Sequence, residues 1–395
     1  MVGVGALSRD ARTLRAAAWA LRAQFFVAGA LFATFGVHVP TIKAHYGLGE
    51  QLLATAMLAA GAGSVVALLQ AGKVLARRAP RQLLPVLALV CALALGNLLT
   101  TSSYVVLVAL MLAYGMAAAL MDVAINDEAS ALEARTGRHL MSGFHAMFSL
   151  GGMAGAGTWS VLAAIDVRPA VHLVAACIAL ALLAITAARW MHASDRAQAA
   201  PAEGLSLPRG PLALVGLLAA VGLIAEGAMY DWSVLFMRQE VGSPAGLASL
   251  AYASFSLAMA AGRFAGDWVR GRMAPVPLLR ASGALGVLGM ALALAVPQAW
   301  AALAGFALVG LGFANIVPVL FSAAGKIPGV AAAHGIAAVA SVGYFGMMVG
   351  PPLIGFIAQA RSLTMGLVVV IVFAAMVTVL AQRALGRVGR PGSST

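Results

Sequence analysis

Long apolar runs alternate with short polar stretches along the whole chain. They fall at 17–40, 51–72, 83–100, 104–125, 140–164, 169–190, 211–237, 246–268, 276–296, 299–321, 331–358 and 362–384. Most reach the about 20 residues that carry an α-helix across a bilayer core. The pattern therefore predicts twelve transmembrane helices. The longest polar interruption, 191–210, holds Asp195, Arg196, Gln198, Pro201, Glu203, Pro208 and Arg209. It follows the sixth run and reads as a linker between two six-helix halves, 1–190 and 211–395. Arg9, Arg12 and Arg15 precede the first run much as they would in a signal peptide. That run is too long for such a segment and reads as the first span.

Charge then tests the span count. With both termini in the cytoplasm, 21 of the 25 Lys and Arg fall on the cytoplasmic side. Lys43, Arg168, Arg238 and Arg361 are the four on the opposite side. Basic residues favour cytoplasmic loops, and a wrong count would scramble this asymmetry. The linker is then cytoplasmic. The net charge of +12 is explained without nucleic acid. Composition agrees: 62% of residues are hydrophobic and only 10% charged, where soluble domains run to about 25% charged. Cys91 and Cys177 lie deep in apolar runs and read as packing residues, not a disulfide or metal pair.

The halves look related. Gly72-Lys73-Val74-Leu75-Ala76-Arg77-Arg78 closes the second span, and Gly262-Arg263-Phe264-Ala265-Gly266-Asp267 closes the eighth. Gly151-Gly152-Met153-Ala154-Gly155 in span five stands at a similar offset to Gly343-Tyr344-Phe345-Gly346 in span eleven, where Gly350, Pro351 and Pro352 add close packing and a potential bend. Parallel halves of this kind are a known transporter architecture, with substrate bound near mid-membrane.

The glycine-to-arginine pattern after spans two and eight resembles the loop signature of the major facilitator superfamily. The first copy departs from it, because Ala76 stands where the family usually has Asp. Three further stretches sharpen the resemblance: Met121 to Asn126, Met141 to Gly152, and Glu226 to Ser233. Together they resemble the MosC/YbjJ-like branch, related to the fucose-permease-like carriers. The resemblance implies an all-α integral membrane protein with the major facilitator fold, in a bacterial-type inner (plasma) membrane. It implies alternating-access transport of a small polar solute, sugar-like or related, coupled to protons. A monomer holds both halves, and no cofactor or metal is implied.

An ionisable side chain costs about 2.5–3.5 kcal/mol at the centre of a membrane helix on insertion scales, so each one inside a span is a candidate. Glu226 lies about halfway along span seven. It is placed either to load and release a proton or to form a helix–helix hydrogen bond. Tyr230 shares its face at i,i+4. Asp231, rotated off that face, either lines the outer vestibule as a further proton site or caps the helix end. Trp232 is either an interface anchor or a stacking platform for a sugar ring. Asp122 and Asn126 are i,i+4 on span four. This acid-x-x-x-Asn pair resembles the one that fucose-permease-like proteins carry there, where the acid takes part in proton coupling. Span one has no acidic residue, a departure from that pattern. Asp127, Glu128 and Glu133 are expected in the following loop, solvated or paired with Arg135 and Arg138.

His145 in span five is a candidate substrate contact or partner of Asp122, with a packing role the alternative. His38, near the outer end of span one, is a further candidate. Gln24, Asn315 and Tyr344 are polar groups placed either to face a cavity or to bridge helices. Gly72, Arg77, Gly262, Arg263 and Asp267 are expected to serve gating, with Arg263 and Asp267 a structural pair. An exporter of drugs or metabolites on the same fold is the alternative function. An enzyme is not expected, since no His-Glu-x-x-His, Gly-x-Ser-x-Gly or phosphate-binding glycine motif occurs.

Overall fold

The computed structural model describes residues 3–137, 140–191, 209–327, 330 and 332–386. Most of the predicted linker, 192–208, lies outside the described residues. Fourteen helices are present among the described residues. They are α1 (Gly3–Tyr46), α2 (Glu50–Arg77), α3 (Pro80–Gly96), α4 (Tyr104–Thr136), α5 (Met141–Ala164), α6 (Pro169–Ala188) and α7 (Pro211–Gln239). Then come α8 (Ala245–Phe264), α9 (Gly266–Arg270), α10 (Pro275–Ala295), α11 (Ala299–Phe313), α12 (Ile316–Ala324), α13 (Ala332–Ala360) and α14 (Leu363–Leu385).

Among the described residues ten stretches are long and apolar enough to cross a membrane. One of them, Ala299–Ala324, contains both α11 and α12. With the shorter α3 and the glycine-rich α5, they account for all twelve apolar runs. The two extra helices come from interruptions. Span eight breaks at Ala265 before the short α9, and span ten breaks at Ala314 and Asn315.

Local chemistry explains the ends. Proline stands in the first turn of α3, α6, α7 and α10, where its missing N–H costs nothing and its fixed φ suits the helix. Gly137, at φ 62°, closes α4 in the left-handed conformation, which a residue without a Cβ adopts freely. The Ser362 hydroxyl accepts from the Met365 N–H at 3.2 Å and caps α14.

The chain forms two compact units. The first holds 1–46 and 59–202, the second 47–58 and 203–395. The first turns of α2 thus belong with the second unit, which the sequence does not announce. There Gln239 donates to the Glu50 carboxylate at 3.3 Å. The rest of α2 packs in the first unit, where Ser64 donates to the Gly115 carbonyl at 3.1 Å.

Within the first unit α1 packs along α5, and within the second α7 packs along α13. Spans one and five are thus paired as spans seven and eleven are. Small residues make the first pairing close. A Cβ on Gly29 would collide with the Phe148 carbonyl, and one on Gly151 with the Phe26 carbonyl. Apolar side chains such as Val105, Val161 and Val379 are exposed on the outside, as in a protein whose solvent is lipid.

The carboxylates after span four correct the sequence reading. Asp127, Glu128 and Glu133 lie within α4, which runs on to Thr136. Glu128 is buried, and Glu133 accepts from the backbone N–H groups of Leu140 and, at 2.8 Å, Met141. An acidic side chain there meets the unpaired donors that open α5.

Candidate functional site

Among its described residues the second unit contains a compact charged cluster. Glu226 sits midway along α7 and is buried. Arg263 comes from the last turn of α8. Helical side chains lean toward the N-terminus of their own helix, so Arg263 reaches back along α8. Its guanidinium donates to Glu226 Oε1 at 3.0 Å, with both side chains largely shielded from solvent. Tyr230, one turn beyond Glu226, donates to the same oxygen at 3.5 Å, the outer limit of a hydrogen bond. Among the described residues Oε2 accepts none. Breaking such a buried pair from one side costs about 3–5 kcal/mol, because it leaves an uncompensated charge.

Aromatic rings wall the cluster. Tyr230 lies 5.1 Å from the Tyr252 ring and 5.0 Å, edge to face, from Phe255. Ser256 on α8 and Ser233 on α7 are fully buried, and among the described residues their hydroxyls have no hydrogen-bond partner. Asn315, at the break between α11 and α12, donates to the Gly262 carbonyl at 3.4 Å. Gly262 permits the approach: a Cβ there would stand 2.5 Å from Ala314 Cβ.

The first unit gathers a different set. His38 Nε2 and His172 Nδ1 are 2.8 Å apart, on α1 and α6. Trp159 of α5 lies against both rings, at 4.5 and 5.0 Å. His38 Nδ1 is buried and has no hydrogen-bond partner among the described residues. Nearer the other end of α1, the Gln24 amide donates to the Ala184 carbonyl of α6 at 2.8 Å, and its Oε1 is left unpaired. Asn126 donates to the Asp122 carboxylate at 3.1 Å and to the Asp122 carbonyl at 2.9 Å. His145 sets its ring edge-on to Phe25 at 5.3 Å.

The structure therefore brings Glu226, Tyr230 and Arg263 together and sets Asn315 beside Gly262. Asp231 is half-buried on another face of α7. Trp232 is fully buried, which excludes the interface-anchor reading. A Cβ on Gly355 would stand 3.2 Å from its ring, so it packs against α13. Gly72 and Arg77 are both exposed. The side chains of Asp267 and Tyr344 lie outside the described residues.

Sequence reasoning missed His172, Trp159, Tyr252, Ser233 and Ser256. Tyr252, Ser256 and Arg263 fall at i, i+4 and i+11, one face of a helix, and that spacing was available. Nothing local marks His172 as the partner of a residue 134 positions away. Among the described residues no group of three or more His, Cys, Asp or Glu could hold a metal ion.

Known proteins give this geometry its setting. The family model of the Major Facilitator Superfamily matches residues 23–333. The chain is 34% identical over 345 residues to an uncharacterised MFS-type transporter of Yersinia pestis, covering 87% of this chain and 89% of that one. It is 33% identical over 359 residues to the membrane protein MosC of Rhizobium meliloti, covering 88% and 85%. Among solved structures, a D-xylose-proton symporter superposes with TM-score 0.74 at 13% identity, over 93% of this chain and 96% of that one. The nucleoside transporter NupG gives 0.71 at 12% identity, over 96% and 100%. These two show a shared fold. A chain whose described residues form helices, ten stretches of them apolar and of spanning length, and which matches the family over most of its length, belongs to the major facilitator superfamily of multi-pass membrane transporters.

Proposed function

We propose that this protein is a proton-coupled secondary transporter that moves a small polar, sugar-like solute by alternating access, with Glu226 as its proton site. The observation that carries this reading is the cluster on Glu226. A carboxylate halfway along a membrane helix is held on one oxygen by Arg263 and Tyr230, while its second oxygen accepts no hydrogen bond among the described residues. A proton on Oε2 would weaken the pair with Arg263 and change the balance of charge in the second unit. Asp122 and Asp231 are secondary candidates for coupling. Asn126, His145, Tyr230 and Asn315 are the favoured solute contacts. The working unit is a monomer of two six-helix halves, 1–190 and 211–395, with both termini in the cytoplasm of a bacterial-type cell.

The energetics are adequate. One charge crossing 100 mV supplies about 2.3 kcal/mol, enough at one proton per neutral solute for a gradient of roughly 50-fold. The test is proton movement in proteoliposomes on adding a panel of sugars, polyols, amino acids and drugs. A solute-driven pH change in the wild type, absent in Glu226→Gln while solute binding persists, is expected. Solute flux with no pH change would return Glu226 to a structural role. Flux confined to apolar drugs would favour an exporter.

A further inference from the structure

We propose that the turn between α8 and α10 binds the headgroup of an anionic phospholipid, with Arg272 and Arg280 on its phosphate and Phe264 and Trp268 at the acyl boundary. The stretch that closes α8 has two faces. Gly262 and Gly266, four positions apart, are buried and look inward. A Cβ on Gly262 would stand 2.5 Å from Ala314 Cβ, and one on Gly266 2.7 Å from Asn315 Oδ1. Phe264, Trp268 and Arg272 repeat at the same spacing on the opposite face. Ala265 keeps a near-helical φ and ψ of −77° and −10°, so the phase carries across the break. Phe264 is 56% exposed and Trp268 62%, and Arg272 is exposed as well.

This outward stripe runs from apolar to amphipathic to charged over eight residues, about 12 Å of helix. A lipid monolayer changes in the same order from acyl chain to headgroup, and tryptophan favours the boundary between them. Phe264 closes an apolar stretch of spanning length, which puts the stripe at the end of the hydrocarbon. A free phosphate would meet the arginine and leave both aromatic rings bare, whereas a lipid covers all three. Exposed tryptophan alone does not make such a site. Trp300 is 64% exposed at the start of α11, but it bonds to the Gln298 side chain, and α11 holds no basic residue.

The cations are placed for a phosphate. The Arg272 guanidinium lies 4.1 Å from the centroid of the Trp268 ring, and its Nη1 donates to the Trp268 carbonyl at 3.4 Å. Stacked this way it is held in position, and its fork keeps N–H donors for two phosphate oxygens. Arg280 is exposed on the second turn of α10. Helical side chains lean toward the N-terminus of their own helix and long cationic ones snorkel to the interface, so Arg280 reaches back to the same level. Arg270 is half-buried and engaged within the protein, and Arg263 holds Glu226; the site needs neither. Asp267 is the one acidic residue from 264 to 280, against Arg270, Arg272 and Arg280, so the turn is cationic by sequence. In the orientation proposed above this is the cytoplasmic side, whose leaflet surface is negative. The site is independent of the solute and of Glu226.

The experiment adds phosphatidylglycerol or phosphatidylcholine with the same acyl chains to the purified full chain in detergent, and counts bound lipid by native mass spectrometry. Phosphatidylglycerol is expected to bind about 25-fold tighter, roughly fivefold for each of two arginines. Arg272→Gln and Arg280→Gln each cut that preference about fivefold, and the double variant removes most of it. Arg361→Gln, at an exposed arginine on another loop of the same unit, leaves it unchanged. Phosphatidylglycerol brominated on its chains quenches an emission that Trp268→Phe lacks, at concentrations where brominated phosphatidylcholine does not. Equal affinity for the two lipids overturns the inference. So does a preference that survives the double variant, or one that Arg361→Gln lowers as far as Arg272→Gln does. Inorganic phosphate or glycerol 3-phosphate raising the melting temperature as much as phosphatidylglycerol does would make this a soluble-anion site and sink the lipid. The variants are expected to melt as the wild type does in phosphatidylcholine; if the double variant does not fold, the single variants and the quenching decide.

Discussion

The two units bury polar groups in opposite ways. In the first, His38, His172 and Trp159 pack ring against ring, with one hydrogen bond between imidazoles. In the second, Glu226 and Arg263 form a full ion pair. A neutral hydrogen bond contributes about 0.5–1.5 kcal/mol net, while breaking a buried charge pair from one side costs several times that. The first arrangement suits a structural joint. The second concentrates two charges in one contact, so removing either charge should cost more than losing the single hydrogen bond of the first.

The contrast is easiest to break at Arg263. Arg263→Gln strands the Glu226 charge and is expected to lower stability by about 3–5 kcal/mol. Adding Glu226→Gln should recover most of that loss, read as the melting temperature of the detergent-solubilised protein. Equal destabilisation by the single and double variants would show that the pair is not the source. The next effect belongs to the first unit. His172→Leu removes the partner of His38 and leaves its Nε2 bare, at a cost of about 1–3 kcal/mol. Because Glu226 lies in the other unit, the proposed solute-driven proton movement should persist. Loss of coupling with intact folding would move a proton site into the first unit.

Smaller still is the change at Gln24. Gln24→Leu removes one hydrogen bond to Ala184 together with an already unpaired Oε1. The two roughly offset, so the melting temperature should move by less than about 1 kcal/mol would shift it. A drop as large as that of Arg263→Gln would show that Gln24 carries more than a clip between α1 and α6.

The sequence made the fold legible because lipid imposes a coarse rule. Apolar runs of spanning length and skewed basic loops need no knowledge of contacts. Glu226 and Tyr230 were visible for the same reason, since i,i+4 neighbours on a helix meet by geometry. Arg263 was visible as a residue but not for its contact with Glu226. Loop spacing offers Asp267 as its mate, whereas the pairing with Glu226 crosses from α8 to α7, 37 positions apart. The His38 and His172 couple was hidden likewise. The break at Ala314 falls within an apolar run interrupted only by Asn315, so no periodic signal marks it, whereas Gly262, Arg263, Gly266 and Asp267 do surround the one at Ala265.

The distribution of tryptophans gives these clusters a built-in readout. Of six tryptophans, Trp19, Trp190, Trp268 and Trp300 are more than half exposed, while Trp159 and Trp232 are buried. A surface quencher in lipid or water would silence the first four and spare the last two. One survivor lies against the histidine couple and the other on the helix that bears Glu226. The residual emission would come from both units at once, and Trp159→Phe or Trp232→Phe would assign each share, so solute and proton binding become visible without an added label.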